Sequence, residues 1–194
     1  MKVQTYQKLG TLKILNWTAL GLFILFTLYM TLGQNQDYLK KLQYLDLFLF
    51  NDLFFMDSVK QVGGLSMYLS SFLLQFFYYP LAGFLLLLLL LLVVNWFTAK
   101  IFNLSHNLLP LAFIPSLALM LTQTELGYMI YFQKIDGDLF NNILGIIIAL
   151  LGLKSYQKIK RAPLKVLFVP SYIFIAYPLF GSYALFGGLL MLLV

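Results

Sequence analysis

Long apolar runs, separated by short charged clusters, dominate the hydrophobic and polar pattern of this sequence. A helix needs about 20 apolar residues to cross roughly 30 Å of hydrocarbon, and the longer runs approach or reach that length. The pattern therefore predicts an all-α protein, a multi-pass transmembrane helical bundle of about six spans. The predicted spans are residues 14–32, 80–99, 108–124, 139–153, 166–180 and 183–194.

The last apolar run, residues 166–194, is too long for one span and too short for two complete ones. Pro170, Pro178 and Gly181 are expected to break a single helix here. We expect two helices that turn near Gly181–Ser182, with the second one incomplete. Because the sequence stops in an apolar stretch without a polar tail, we expect the whole chain to be one transmembrane domain, the N-terminal membrane module of a longer protein.

The hairpin segment, residues 33–79, lies between the first two predicted spans and is too long for a simple connection. Apolar residues recur every three or four positions in its first half, which predicts one helix face. They are Leu39, Leu42, Leu45, Leu49, Leu53 and Met56. Gly63-Gly64 breaks this pattern, Ser66 is expected to cap a second helix, and Pro80 begins or kinks the next span. We expect an amphipathic outer-loop hairpin on the membrane surface or against the other helices.

The composition excludes most classes of soluble protein. Of the 194 residues, 61% are hydrophobic and only 10% are charged, and the mean hydropathy is +0.87. Soluble domains carry roughly 25% charged residues, so a soluble enzyme, a disordered tail and a nucleic-acid module are excluded. The expected partners are the lipid bilayer and other membrane or envelope proteins, with no nucleic acid. The chain has no cysteine, which excludes disulfides and thiolate chemistry.

Positive charge recurs at every second boundary between the predicted spans. Because Lys and Arg are retained on the cytoplasmic side, we expect the N-terminus to lie in the cytoplasm. The strongest basic cluster consists of Lys154, Lys158, Lys160, Arg161 and Lys165. We interpret these residues first as determinants of topology, and a site for a lipid headgroup or a partner is the alternative.

Carboxylates are the main candidate chemistry of the hairpin segment, which contains Asp37, Asp46, Asp52 and Asp57. Paired acids bind divalent metals through oxygen, but solvated loop acids and helix caps explain these residues more simply, with Asn51 or Asp52 capping a turn. The candidate outer-surface cluster therefore combines acids with polar and aromatic residues. Its members are Asp52, Asp57, Gln75, Tyr78 and Tyr79.

No cofactor or metal is predicted from the remaining residues. Asp136-Gly137-Asp138 has the spacing of a metal motif but is interpreted as a turn before a helix. His106 is the only histidine, and one histidine does not make a metal site or a triad. No phosphate-binding loop or dinucleotide fingerprint occurs. Gly145 and Gly152 are too far apart for a contact between small residues on neighbouring helices.

Several stretches of the chain resemble an uncharacterised bacterial family of multi-pass membrane proteins, a domain of unknown function. They are residues 47–52 (LFLFND), 63–65 (GGL), 68–69 (YL), 72–73 (FL), 75–80 (QFFYYP) and 115–117 (PSL). The resemblance implies a helical fold in the bacterial cytoplasmic (inner) membrane and a soluble helical region beyond this chain. It implies no activity, because the family has no established one.

These observations favour a structural or interaction module of the membrane that anchors a soluble region, and they lean away from an enzyme. One alternative is the membrane half of a lipid-linked glycosyl- or lipid-transferase, because such enzymes have amphipathic helices and an acid in the first outer loop. A second alternative is a small-molecule transporter. It is less favoured because no charge is expected at mid-membrane depth, where ion-coupled transporters usually need one.

Overall fold

The computed structural model describes residues 2–46, 48–121 and 138–193, with side chains from Lys13 onward except that of Asp138. These ranges are predominantly helical and contain no strand. The helices are α1 (Lys2–Leu28, continued by a π-helical stretch, Tyr29–Gln34), α2 (Gln36–Leu45), α3 (Asp52–Val59), α4 (Gly64–Leu74), α5 (Pro80–Ile101), α6 (114–121), α7 (Asp138–Lys158), α8 (Ala162–Phe180) and α9 (Ser182–Leu192). Two 3-10 turns, Gln75–Tyr78 and Leu109–Phe113, precede α5 and α6.

Four helical segments of the described chain are long and apolar enough to cross a membrane. They are Lys13–Gln34, Pro80–Ile101, Leu139–Lys158 and Ala162–Phe180. The other two predicted spans correspond to shorter apolar helices, Leu109–Leu121 and Ser182–Leu192. The all-helical architecture is therefore confirmed, and residues 122–124 of the predicted third span lie outside the described residues.

Helix α5 forms the centre of the core and runs parallel to α7. Its side chains Leu87, Leu91 and Val94 are almost completely buried. At its start, the ring of Phe77 lies 6.0 Å from that of Phe140, which is near the start of α7. Towards its end, the Lys154 ammonium of α7 lies 4.0 Å from the centre of the Trp96 ring. We call these two ends of the bundle the hairpin end, where α5 begins, and the basic end, where α5 finishes.

Small residues bring α7 into close contact with α8 and α9. A Cβ at Gly145 would overlap the ring of Tyr183, and a Cβ at Gly152 would lie 2.6 Å from a ring carbon of Tyr172. A Cβ at Gly187 would lie 3.1 Å from the Cα of Ala149. The atoms nearest to Gly145 and Gly152 belong to large side chains, so these two glycines do not contradict the expectation from their spacing; the close approach of small residues occurs instead between Gly187 and Ala149.

The prolines of α8 do not break this helix, which corrects the expectation from the sequence. Pro170 and Pro178 both lie inside Ala162–Phe180. Apolar membrane helices tolerate proline when neighbouring groups satisfy the freed backbone atoms. The helix ends instead at Gly181, with φ 62° and ψ −139°, a backbone conformation that essentially only glycine adopts. The predicted turn at Gly181–Ser182 is confirmed.

The hairpin segment folds into separate helices rather than one continuous helix. The predicted single apolar face is wrong, because the chain leaves the helix after Leu45 and forms α3 only from Asp52. Leu39 is buried against the core, whereas Leu53 and Met56 are exposed. A periodic pattern in sequence does not require a continuous helix when a break lies between its members.

Three expectations from the sequence concern the ends of the helices in and after the hairpin segment. Asn51 caps α3, because its side-chain oxygen accepts a hydrogen bond from the Leu53 N–H at 3.3 Å. Pro80 is the first residue of α5, as expected. Ser66 does not cap α4, because Gly63, with φ 80°, precedes the helix and Ser66 lies inside its first turn.

Candidate functional site

The two acids of the predicted outer-surface cluster lie on the exposed face of α3. Asp52 begins this helix and is exposed. The Asp57 carboxylate accepts a hydrogen bond at 2.8 Å from the Lys60 ammonium, and both side chains are 73% exposed. An exposed ion pair of this kind has little effect on stability. Neither acid is held in the buried, preorganised setting that acid-base chemistry needs.

Tyr78 and Tyr79 lie at the junction between the 3-10 turn and α5. Their rings contact each other edge to face, with centres 4.9 Å apart. Both side chains are more than half exposed. The backbone carbonyl of Tyr79 accepts hydrogen bonds from the N–H groups of Ala82 and Gly83, in the first turn of α5. The pair therefore forms an exposed aromatic edge at the hairpin end.

Gln75 is the predicted site residue that enters a buried polar network. Its amide nitrogen donates to the carbonyl oxygens of Asp46, at 2.6 Å, and Ser71, at 3.2 Å. Its amide oxygen accepts a hydrogen bond from the Gln43 side chain at 3.0 Å. The Ser71 hydroxyl donates to the Asp46 carboxylate at 3.0 Å. This network fastens the end of α2 to α4.

The polar atoms of α4 continue towards α7. The hydroxyl oxygen of Ser66 lies 2.6 Å from the side-chain oxygen of Asn141 and 2.8 Å from the carbonyl of Gly63. Ser66, Ser70 and Ser71 are all buried. One face of α4 is therefore a polar seam, a line of buried polar side chains that joins α2, α4 and α7.

Asp46, Gln43 and Ser71 could not be recognised as a group from the sequence. Asp46 and Gln43 are each 8% exposed, so they are more deeply buried than the acids that were selected. The spacing of Ser71 and Gln75, one helical turn apart, was the available signal. It pointed to a polar face on α4, but nothing in the sequence showed that the end of α2 would pack against that face.

An aromatic cluster fixes the rest of the hairpin segment. The Phe48 ring contacts Phe54, Tyr68 and Phe72 at centre distances of 5.0–5.7 Å. Phe55 meets Tyr68 edge to face at 5.0 Å. Pairs of this kind contribute about 0.5–1.5 kcal/mol each beyond the area that they bury. The cluster holds α3 and the residues before it against α4, and Phe50 remains 93% exposed beside it.

The predicted basic cluster is divided between ring contacts and free side chains. Lys154 lies over Trp96, and the Lys165 ammonium lies 4.8 Å from the centre of the Tyr156 ring. Cation–π contacts of this kind hold a charged group beside an apolar surface. Lys158, Lys160 and Arg161 are exposed at the junction of α7 and α8.

The described side chains do not assemble a metal site. Within these ranges, no group of three or more His, Asp or Glu side chains is close enough to hold a metal ion. Asp136 and Gly137 of the predicted turn lie outside the described residues, as do Glu125 and Lys134. The main chain of His106 accepts a hydrogen bond at 3.1 Å from the Asn16 side chain, which joins α1 to the loop after α5.

Comparison with known proteins gives one family and no relative of known function. No curated protein and no solved structure matches the chain. Residues 11–194 match the model of a family described as a family of unknown function, DUF6057. That match covers nearly the whole sequence and agrees with the resemblance to an uncharacterised family. The chain therefore belongs to the family of unknown function DUF6057.

Proposed function

We propose that this protein is an integral protein of the bacterial cytoplasmic membrane and that it acts as an interaction module rather than as an enzyme. Its outer helices support the membrane location. Only 17% of the apolar part of α1 and 11% of that of α8 is buried inside the protein. Phe174 of α8 is 83% exposed, and Val166 is 76% exposed. Apolar helices with so little protein cover are stable in hydrocarbon, not in water.

The parallel arrangement of α5 and α7 supports further crossings beyond the four long helices. Two parallel helices that both cross the membrane need a return crossing between them, and residues 102–137 are the only chain that connects these two. Residues Leu109–Leu121 supply part of that return path. At 1.5 Å per residue this helix reaches about 20 Å, which is about two thirds of the hydrocarbon thickness. Helix α9 enters from the hairpin end and gives a sixth, partial span.

The charge distribution supports a cytoplasmic basic end. Contacts of Lys154 with Trp96 and of Asn16 with His106 bring the ends of α1, α5 and α7 together. The cationic side chains described at this end are Lys13, Lys100, Lys154, Lys158, Lys160, Arg161 and Lys165. The described acidic side chains all lie in the hairpin segment. By the positive-inside rule, this segment faces the outer side of the membrane and the N-terminus faces the cytoplasm.

The interaction role rests on one observation, the exposed apolar and aromatic surface of the hairpin segment. Its polar network and aromatic cluster are internal, whereas Phe50, Leu53, Met56, Tyr78 and Tyr79 are exposed. Interaction surfaces are enriched in aromatic residues and methionine. A membrane or envelope protein is the partner that fits such a surface. The acids of a transferase would instead have to converge, and here Asp57 is paired with Lys60.

Complementation of a strain that lacks the gene tests this role against the transferase alternative. The variant Tyr78→Ala/Tyr79→Ala removes exposed rings, so we expect near-wild-type membrane levels and loss of complementation. The matched variant Asp52→Asn/Asp57→Asn changes exposed acids of the same segment, and we expect it to complement fully. Immunoblots of carbonate-washed membranes measure the amount of integrated protein.

The two variants separate the competing functions. Loss of complementation by Asp52→Asn/Asp57→Asn at normal protein level would favour the transferase. Full complementation by the variant Tyr78→Ala/Tyr79→Ala would refute the proposed interaction surface. Release of the wild-type protein by carbonate would refute the membrane location itself.

A further inference from the structure

A groove between α7 and α8 opens beside the free cations of the basic end. Its volume is about 390 Å³, within the range of about 300–1,000 Å³ that is typical of ligand sites. Its lining includes Leu151, Ser155, Phe168, Ser171, Ile175 and Leu179. Ser155 lies three residues before Lys158, which is about 4.5 Å along the helix axis. The groove therefore begins next to the loop that carries Lys160 and Arg161.

The wall of this groove is hydrocarbon in character. The three hydroxyls in the lining are already used. Ser155 donates to the Leu151 carbonyl at 2.9 Å, Ser171 to the Leu167 carbonyl at 2.8 Å, and Tyr172 to the Ile148 carbonyl at 3.3 Å. A polar ligand would find few free hydrogen-bonding groups there and would lose its hydration. An acyl chain has no hydrated polar group to bury, so the groove fits an alkyl group better than a polar substrate.

The mouth of the groove has the opposite character. Lys158, Lys160 and Arg161 are exposed, and none of them forms an ion pair or a ring contact with another described residue. Lys154 and Lys165, in contrast, are held over Trp96 and Tyr156. No acidic side chain is described at this end of the protein. The three free cations are therefore available to an anion, and phosphate is an anion that Arg and Lys recognise well.

We propose that this groove and its three free cations bind one anionic phospholipid, with the phosphate-bearing headgroup at Lys158, Lys160 and Arg161 and an acyl chain between α7 and α8. The inference rests on the proposed membrane location, because both halves of the ligand come from the leaflet that borders the basic end. Charge complementarity selects the anionic class of lipid, and the apolar wall selects the intact lipid over its soluble headgroup.

Native mass spectrometry of the purified full-length protein in a neutral detergent tests the proposal. The probes are dioleoyl phosphatidylglycerol, dioleoyl phosphatidylcholine with the same chains, and glycerol 3-phosphate as the soluble headgroup. We expect phosphatidylglycerol to bind about tenfold more tightly than phosphatidylcholine, because each cation near the headgroup adds attraction to an anionic lipid. We expect no binding of glycerol 3-phosphate at concentrations that saturate the lipid site.

Two pairs of variants separate the headgroup from the acyl chain. The variant K158Q/K160Q/R161Q should abolish the preference for phosphatidylglycerol and leave phosphatidylcholine binding unchanged. Its control, K40Q/K41Q/K60Q, removes the same number of charges at the hairpin end and should keep the preference. Ser171→Phe fills the groove from an exposed position and should weaken both lipids, whereas Leu167→Phe on the same helix should not.

Three results would overturn the proposal. They are equal binding of the two lipids by the wild-type protein, a preference that survives K158Q/K160Q/R161Q, and glycerol 3-phosphate binding as tight as that of the lipid. Thermal unfolding of each variant checks that it is folded. If Ser171→Phe does not fold, the charge variants alone decide the outcome. A carbonate-resistant protein without lipid preference refutes this inference and leaves the proposed function intact.

Discussion

Because of the buried polar network, the polar residues of the hairpin segment contribute unequally to the stability of the protein. Asp46 is a carboxyl residue that is 8% exposed in a chain with few charges. Such a group is stable only when hydrogen bonds replace the water that it has lost. Ser71 of α4 donates to its carboxylate, and Gln75 of the following 3-10 turn donates to its carbonyl.

Removal of the Ser71 hydroxyl is expected to destabilise the protein measurably. In Ser71→Ala the carboxylate loses a donor inside the protein, so the free energy of unfolding should fall by about 1–3 kcal/mol. Ser155→Ala is the control, because that hydroxyl is exposed and bonds only to its own helix. Its effect should stay within about 0.5 kcal/mol. Denaturant titration in detergent micelles, followed by circular dichroism, measures both; equal effects of the two variants would contradict the prediction.

Residue roles at this scale were only partly predictable from sequence. Asn51 and Pro80 acted as expected, because capping and the first helical turn depend on local chain geometry. Asp46 was not distinguished from Asp52, although their environments differ completely. Burial depends on which helices pack together, and no local pattern contains that information.

The contact of α7 with α8 and α9 is built on close approach at small residues. Tyr183 is fixed at both ends of its side chain, because its hydroxyl donates to the Asn142 side chain while its ring covers Gly145. Its ring therefore has little freedom to move away from an added methyl group. In the proposed lipid surroundings this interface has to be tight, because dispersion forces, rather than exclusion of water, hold helices together there.

A methyl group at Gly145 is expected to open this interface. Gly145→Ala should lower the free energy of unfolding by about 1–3 kcal/mol through overpacking. Gly21→Ala is the matched control, because a Cβ there meets no atom within 4 Å. It should have no effect or raise stability by up to about 1 kcal/mol, since alanine favours the helix. The same denaturant titration compares them, and the prediction fails if Gly145→Ala is as stable as Gly21→Ala.

Elements were more predictable than single residues. Four long helices follow from the lengths of the apolar runs, because hydropathy alone sets them. The division of residues 33–59 into α2 and α3 did not follow from the pattern, since leucines at helical spacing continue across the break. Whether Pro170 and Pro178 break α8 also depends on neighbouring groups rather than on proline itself.

Charge distinguishes the two ends of the described part of the molecule, because the hairpin segment combines four acids with three lysines. The basic end carries cationic side chains, and the hairpin segment carries every described acidic side chain. Orientation in the membrane is therefore expected to be unique, because the excess of Lys and Arg at one end opposes inversion. The sequence alone suggested this asymmetry, and the parallel packing of α5 and α7 adds a geometric constraint that hydropathy does not contain.

The absence of cysteine from the sequence makes this orientation directly measurable. Gln61→Cys and Gln157→Cys replace the same exposed, uncharged residue type at opposite ends. We expect a membrane-impermeant maleimide to label Gln61→Cys in intact cells and Gln157→Cys only after the cells are opened. At least about a tenfold difference in labelling is expected, since the intact bilayer blocks the reagent completely from one side. Labelling of both in intact cells would contradict the predicted orientation.

The contact between Gly63 and the α8–α9 turn has a consequence for biosynthesis. The Gly63 N–H donates to the Pro178 carbonyl at 2.9 Å, and these residues are about 115 positions apart. A ribosome that adds about 5–20 residues per second needs roughly 6–23 s to make that stretch. During this interval the nascent hairpin segment has left the ribosome without its last docking partner. Chaperones and the insertion machinery therefore have several seconds in which to bind its exposed rings before the final turn closes over Gly63.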